Sequence, residues 1–507
     1  MRKKIVLNIG VSLALEIITL VCAFILPRMI MVNYGSEYNG VVTSVSQFLA
    51  TVSLLRGGVT GVTRAALYKP LKERNIEKIS GILKATERFM RRIACIFAVS
   101  LVLFAAIYPL LVSEEFGWFY TATLVLILGI STVSQYYFGL TYQILLQADQ
   151  RQYIYSALQI FTTIVNTLIS VILINLGMDF RIVKLSSGLI FGVIPLFLYF
   201  YAHKHYKLLK NVPCDDTAIA QRWDAFLHHV AAFIHLNTDV ILLTVFCDLY
   251  QVAVYTVYSM VTNGVKKFAS ICSNGIEAAI GTLLARNDSE KLSLGIDIYE
   301  WVIHVVSTVF FVCTAMLIVP FVMIYTSGVQ DTNYFRPALG YVMCLAQFFN
   351  CIRLPYQNTV EAAGHFRQTR SGAILEAGIN IFCSIPCVIL WGATGVVIGT
   401  VIAILFRTVQ YAWYISKNIL VRPFARFVKR CVLSGCVIAV LMYGYFALNI
   451  DAVLMEATTY FEWVFCAFFV FWVVLLVTVI INSLAYPALA KRMLEEITPR
   501  FFKRGGT

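Results

Sequence analysis

Apolar runs of about 20 residues recur along the chain from Ile5 to Tyr486, separated by short segments rich in charge, Gly and Pro. At about 1.5 Å per residue, such a run matches a hydrocarbon layer of about 30 Å. The runs centre near Leu15, Leu49, Leu101, Ile127, Val165, Phe191, Ile234, Thr262, Phe310, Cys344, Ile381, Ile402, Val437 and Val470. They predict an all-α polytopic membrane protein of 14 transmembrane helices. Little chain is left between them, so no soluble module fits.

Several of these helices are not apolar all round. On the eighth, Thr262, Lys266, Ser270, Ser273 and Glu277 recur at helical spacing with Asn263, Lys267 and Asn274 beside them. On the second, Ser46, Ser53, Arg56, Thr60 and Thr63 make a similar face, and on the tenth Asn350, Arg353 and Gln357 do so around Pro355. The first places Ser12, Glu16 and Thr19 together, and the seventh places His228, His235 and Asp239 together. Such faces cannot point at lipid and predict a water-filled interior. The competing reading is internal ion pairing for packing, for instance Glu16 or Asp239 against Lys266.

Composition agrees with the pattern: 59% of the 507 residues are hydrophobic and 13% charged, against about 25% charged in soluble domains. Net charge is +13, which in a soluble chain would raise nucleic acid as a partner. Here its distribution points to topology instead. Alternate loops carry 30 Lys and Arg, while the intervening loops carry three, Arg181, Lys184 and Arg336. By the positive-inside rule both termini are expected in the cytoplasm. The basic-then-apolar start carries Glu16 and runs on to Ile30, so it reads as a retained first helix rather than a signal peptide.

Seven cations remain inside the runs: Arg28, Arg56, Arg64, Lys266, Lys267, Arg353 and Arg407. An intramembrane charge costs at least about 2.5–3.5 kcal/mol, so each must meet a partner or water. Arg28 and Arg64 lie near helix ends and can snorkel. The other five, Arg56, Lys266, Lys267, Arg353 and Arg407, are candidates for an anion-binding surface. Asp239, with His235 one turn away and Glu16 as the alternative carboxylate, is the candidate for coupling to H+ or Na+. No spacing of His and Cys suggests a metal site, no phosphate-cradling Gly-rich loop with Lys suggests an ATP-driven pump, and no cofactor is expected. The outer loops are short, with Glu114 and Glu115 their only adjacent carboxylates, which argues against an enzyme.

Ile25 to Gly40 (ILPRMIMVNYGSEYNG), Ser46-Gln-Phe-Leu, Leu54-Leu-Arg-Gly-Gly58 and Leu67-Tyr-Lys-Pro-Leu71 resemble the opening of the polysaccharide transporter (Wzx-like) branch of the MOP flippase superfamily. Asn237 to Leu243, Val254 to Tyr258, Asp331 to Tyr334, Arg353 to Tyr356, Ala363 to Phe366 and Gly395 to Thr400 extend the resemblance over nearly the whole chain. It implies two six-helix bundles around a central cavity, here residues 1–202 and 225–415 joined by a cytoplasmic linker 203–224, with two further helices and a basic tail in 416–507. It also implies alternating access, an undecaprenyl-diphosphate-linked oligosaccharide as substrate in a bacterial inner membrane, and polysaccharide polymerases as partners. An internal trace agrees with two bundles: Gly40 to Gly58 has a counterpart in Ala253 to Gly275, six helices later, as a parallel repeat would give. The paired Arg expected at the start of a peptidoglycan-precursor flippase is not matched by Glu16 and Arg28. A cation-coupled exporter of small molecules and a membrane glycosyltransferase or polymerase acting on lipid-linked sugars remain as alternatives.

Overall fold

The computed structural model describes residues 2–53, 57–112, 116–209, 212–215, 238–285, 289–363, 365–420 and 422–489. Among the predicted positions, Arg56, His228, His235, Glu114 and Glu115 lie outside the described residues, as do the side chains of Ser53, Ser273, Asn274 and Glu277. The described residues are helical with no strand. In a bilayer the backbone must satisfy itself, and a helix does so within one segment.

In chain order the helices are α1 (Arg2–Tyr34), α2 (Ser36–Ser53), α3 (Gly57–Glu73), α4 (Ile76–Leu111), α5 (Trp118–Ser134), α6 (Leu140–Ala148), α7 (Gln152–Asn175), α8 (Phe180–Tyr206), α9 (Leu249–Ala285), α10 (Ser289–Tyr325), α11 (Pro337–Ala362), α12 (Phe366–Asn418), α13 (Ala425–Ala447), α14 (Ile450–Met455) and α15 (Tyr460–Ala485). A π-turn, Gln135–Gly139, joins α5 to α6. Local chemistry sets several ends. Asn75 caps α4 by accepting from the Lys78 N–H at 3.0 Å, Asp179 caps α8, and Thr459 with Glu462 forms a capping box on α15. The stretch from Leu67 to Arg92, rich in Lys and Arg, is almost entirely helical, with a break at Arg74 and Asn75 between α3 and α4.

Nine helices among the described residues are long and apolar enough to cross a membrane, and the chain is a multi-pass membrane protein. Two of the expected segments, centred at Ile381 and Ile402, fall on α12, whose 53 residues are broken at Gly392 (φ 56°, ψ −132°), a conformation open to glycine and strained for other residues. Those centred at Leu49, Thr262 and Cys344 fall on α2, α9 and α11, which carry the polar faces and are absent from the nine. The segment at Ile234 lies outside the described residues.

The chain forms two compact units: Met1–Ala253 with Gly328–Thr332, and Val254–Ser327 with Asn333–Thr507. In the first, α1 packs on α7, α4 on α5, and α8 on α5 and α7, around a core that includes Val41, Phe97, Leu124 and Leu198. Asp331 caps α2 in this unit, accepting from the Ser36 N–H at 2.5 Å and the Ser36 hydroxyl at 2.8 Å. In the second unit α10 packs against α11, α13 and α15. Val309, Val312, Met316 and Leu317 meet Val437, Leu441 and Val474 there, and the Tyr445 hydroxyl donates to the Met316 carbonyl at 3.0 Å.

The two arms of α12 run back along each other. Asn380 Nδ2 donates to Thr400 Oγ1 at 3.0 Å, and Ser384 Oγ to the Val396 carbonyl at 3.2 Å. A Cβ at Gly395 would collide with the Cys387 carbonyl, so this crossing has no space for a side chain. The resulting register sets Glu376 on the first arm opposite Arg407 on the second.

Candidate functional site

The second unit brings intramembrane charge together on α9, α11 and α12. On α11, Gln347, Asn350, Arg353 and Gln357 recur at spacings that share one face. Asn350 Nδ2 donates to Gln347 Oε1, and Gln347 Nε2 to Asn263 Oδ1 on α9, each at 3.1 Å. One turn further along α9 is Lys266, half-buried and within electrostatic range of Arg353. Among the described residues of this unit, no carboxylate forms an ion pair with Lys266.

Glu376 is the hub. Arg353 Nη1 donates to Glu376 Oε1 at 2.9 Å, and Arg407 Nε lies 3.5 Å from Glu376 Oε2. All three side chains are at least 85% buried, with exposures of 15% for Arg353, 10% for Glu376 and 4% for Arg407. The two arginines are held differently. Arg407 also donates to the Thr369 carbonyl at 3.0 Å, to the Tyr411 hydroxyl at 2.7 Å and to Gln410 Oε1. Its guanidinium carbon sits 4.0 Å from the Tyr411 ring centroid. Among the described residues Arg353 has Glu376 alone as a hydrogen-bond partner, and its Nε is buried without one. Two arginines thus share one carboxylate, and with Lys266 in electrostatic range of Arg353 the group carries a formal surplus of two positive charges (three minus one). Glu361, whose carboxylate accepts from Gln357 Nε2 at 2.8 Å, lies eight residues along α11 from Arg353, about 12 Å at the helical rise.

Of the five predicted cations, the structure places Arg353 and Arg407 on a shared partner with Lys266 alongside. Lys267 is exposed on the neighbouring face of α9, and Arg56 is outside the described residues. Of the coupling candidates, Asp239 and Glu16 fall in the first unit. Asp239 is buried on a helical segment, 238–246, whose Thr244 hydroxyl donates to Ser44 Oγ at 2.9 Å. Glu16 is on an exposed position of α1, and His235 is outside the described residues.

A second buried charge cluster, also in the second unit, went unrecognised in the sequence. Asp297 and Glu300 on α10 face Arg422, Arg426 and Arg430 at the start of α13. Asp297 accepts from Arg422 at 2.9 Å, Arg430 at 3.0 Å and Arg426 at 3.1 Å. Glu300, fully buried, accepts from Arg422 through one oxygen and Arg430 through the other. One turn on, His304 Nδ1 lies 3.0 Å from Ser434 Oγ. Of the five Lys and Arg in residues 416–430, three are therefore tied to α10. Among the described residues, no group of three or more His, Cys, Asp or Glu is arranged to hold a metal ion.

No known family profile matches the chain, and no curated protein matches its sequence. In structure it is similar to the lipid II flippase MurJ in an inward closed conformation, with a TM-score of 0.72 at 15% identity over 96% of this chain and 99% of that one. It is also similar to an inward-facing multidrug resistance MATE family transporter of the MOP superfamily (TM-score 0.57, 12% identity, 80% of this chain and 98% of that one). The eukaryotic MATE transporter AtDTX14 aligns at a TM-score of 0.53 and 11% identity, over 82% of this chain and 95% of that one. What is shared at these identities is the fold, a MurJ- and MATE-like helical membrane architecture.

Proposed function

We propose that the chain is a transporter of the MOP superfamily that moves an undecaprenyl-diphosphate-linked oligosaccharide from the inner to the outer leaflet of a bacterial inner membrane, by alternating access, for surface polysaccharide assembly. The observation that carries the reading is the buried pair of Arg353 and Arg407 on the Glu376 carboxylate, with Lys266 in electrostatic range of Arg353, inside a MurJ-like fold. A diphosphate crossing the membrane must give up its hydration, and guanidinium and ammonium groups in a water-poor setting replace it with charge-assisted hydrogen bonds. The prenyl chain never has to leave hydrocarbon. With the interior negative, outward movement of anionic charge gains about 2.3 kcal/mol per charge per 100 mV.

On this reading Arg56, Lys266, Lys267, Arg353 and Arg407 line the anion path, and Asp239 with His235, or Glu16, couples it to H+ or Na+. The bundles are residues 1–202 and 225–415, and 416–507 supplies two extra helices. The near-complete overlap with MurJ, against about four-fifths of this chain for the MATE structures, supports such an addition. Fourteen spans with both termini cytoplasmic follow from the loop charge bias, and a polysaccharide polymerase is the expected downstream partner. The MATE likeness favours one other reading, export of small molecules. A surplus of buried arginine repels cationic drugs and argues against it.

The test is flipping of a defined fluorescent lipid-diphosphate oligosaccharide by purified protein in liposomes. An Arg56→Gln, Lys266→Gln double variant should insert normally yet lose at least about tenfold in rate, since a hydrogen bond to a charged group contributes about 1.5–3 kcal/mol. Undiminished flipping would remove the cationic path from the mechanism.

A further inference from the structure

The cluster around Glu376 already contains an anion, and it is part of the protein. We propose that Glu376 is a resident counter-ion: it occupies the anion site between transport events and is displaced from Arg353 and Arg407 by the phosphate oxygens of an incoming diphosphate ester. The proposal rests on the reading above and adds how the site is kept filled and emptied.

Three features support it. Glu376 offers one oxygen to each arginine, at 2.9 Å to Arg353 and 3.5 Å to Arg407, so it bridges two guanidinium groups without saturating either. A phosphate presents more oxygens, and the buried Arg353 Nε, which no acceptor among the described residues reaches, is a donor ready for one of them. Arg407 does not depend on Glu376 for its position, because the Thr369 carbonyl, Gln410 and Tyr411 hold its two Nη atoms. The receiving geometry therefore survives departure of the carboxylate. Finally, Lys266 contributes positive field with no ion-paired carboxylate of its own among the described residues of the unit.

A buried arginine pair with no anion would be costly, and a bound diphosphate with no competitor would be hard to release. A carboxylate of single charge resolves both. It neutralises the arginines at rest, yields to a ligand of higher charge, and returns to expel that ligand on the far side. Anions of single charge gain little by replacing it, which selects for diphosphate over carboxylate or chloride.

The experiment uses the full-length protein in detergent and measures inorganic pyrophosphate binding by calorimetry and thermal shift. Glu376→Gln should bind pyrophosphate at least about tenfold more tightly than the wild type, a difference of one decade in Kd, while flipping more slowly. Arg353→Gln should abolish binding. If Glu376→Gln binds equally or more weakly while Arg353→Gln still abolishes binding, the counter-ion role is overturned and the anion site stands. If neither wild type nor Glu376→Gln binds while both are folded, the anion site itself falls. Should Glu376→Gln fail to fold, Glu376→Asp, which keeps the charge but shortens its reach, should bind more tightly than wild type by a smaller factor, and an unchanged or weaker affinity would overturn the role. Farnesyl diphosphate should displace pyrophosphate at lower concentration, marking a lipid headgroup rather than a free phosphate. Failure to displace it would overturn the lipid assignment.

Discussion

Two buried charge clusters in the second unit are built from similar residues and do opposite things with them. In the Asp297 and Glu300 cluster, three arginines share two carboxylates through five hydrogen bonds, and every guanidinium meets at least one acid. In the Glu376 cluster, two arginines share one carboxylate, and Lys266, in electrostatic range of Arg353, has no ion pair with a described carboxylate of the unit. The first ties α13 to α10 through five charged hydrogen bonds, although Arg422 Nε, like Arg353 Nε, is buried with no hydrogen-bond partner among the described residues. The second is under-neutralised, a poor way to hold helices together and a good way to attract an anion. Charge balance and contact number separate a fastening from a binding site where residue type alone cannot.

The largest effect should come from breaking the fastening. Glu300→Gln removes the acceptor common to Arg422 and Arg430, both about 5% exposed, and breaking a buried pair in this way costs about 3–5 kcal/mol. The expected outcome is a sharp fall in thermal stability and membrane level. A variant as stable as wild type would mean that the cluster is not holding α13. Next in size is Lys266→Gln, which breaks no ion pair with a described carboxylate of the unit. Pyrophosphate affinity should fall about tenfold, in line with about 1.5–3 kcal/mol for a lost charged contact, with no change in melting temperature. Loss of stability without loss of affinity would reassign Lys266 to packing. The smallest effect belongs to Arg426→Ala. Its side chain is 49% exposed, and exposed ion pairs contribute less than about 1 kcal/mol, so thermal unfolding should shift by no more than a degree or two. A loss matching that of Glu300→Gln would erase the distinction between the buried and exposed parts of the fastening.

Much of the α11 face could be read from sequence because helical spacing is local. Asn350, Arg353 and Gln357 signal a polar stripe wherever the helix ends up. Arg407 stood out for a simpler reason, a guanidinium in an apolar run. Their partner did not stand out. Glu376 is 23 residues from Arg353 and 31 from Arg407, and only the turn at Gly392 and the register of the two α12 arms bring all three together. The Asp297 and Glu300 cluster was harder still. Its segment reads as the edge of a basic loop, because Lys291, Asp297 and Glu300 mask the buried Ile296, Tyr299 and Ile303 that line one face of α10. Its arginines lie 122 to 133 residues away. No local pattern encodes a partner at that separation. The segment count is ambiguous for a related reason: a helix that lines a polar interior is less apolar than one facing lipid, so α2, α9 and α11 blur into the hydropathy background.

The fold-back of α12 also bears on how the protein is made. Each charged group delivered singly to the bilayer during synthesis would meet an insertion cost of about 2.5–3.5 kcal/mol. Glu376 and Arg407 sit across from one another on the two arms of a single turn-back, so the pair can enter together with their charges already matched. Arg353, on the helix synthesised just before, gains its partner when the Glu376 carboxylate arrives. The acid that keeps the finished site occupied would thus first serve as an escort, carrying an arginine into hydrocarbon that it could not easily enter alone.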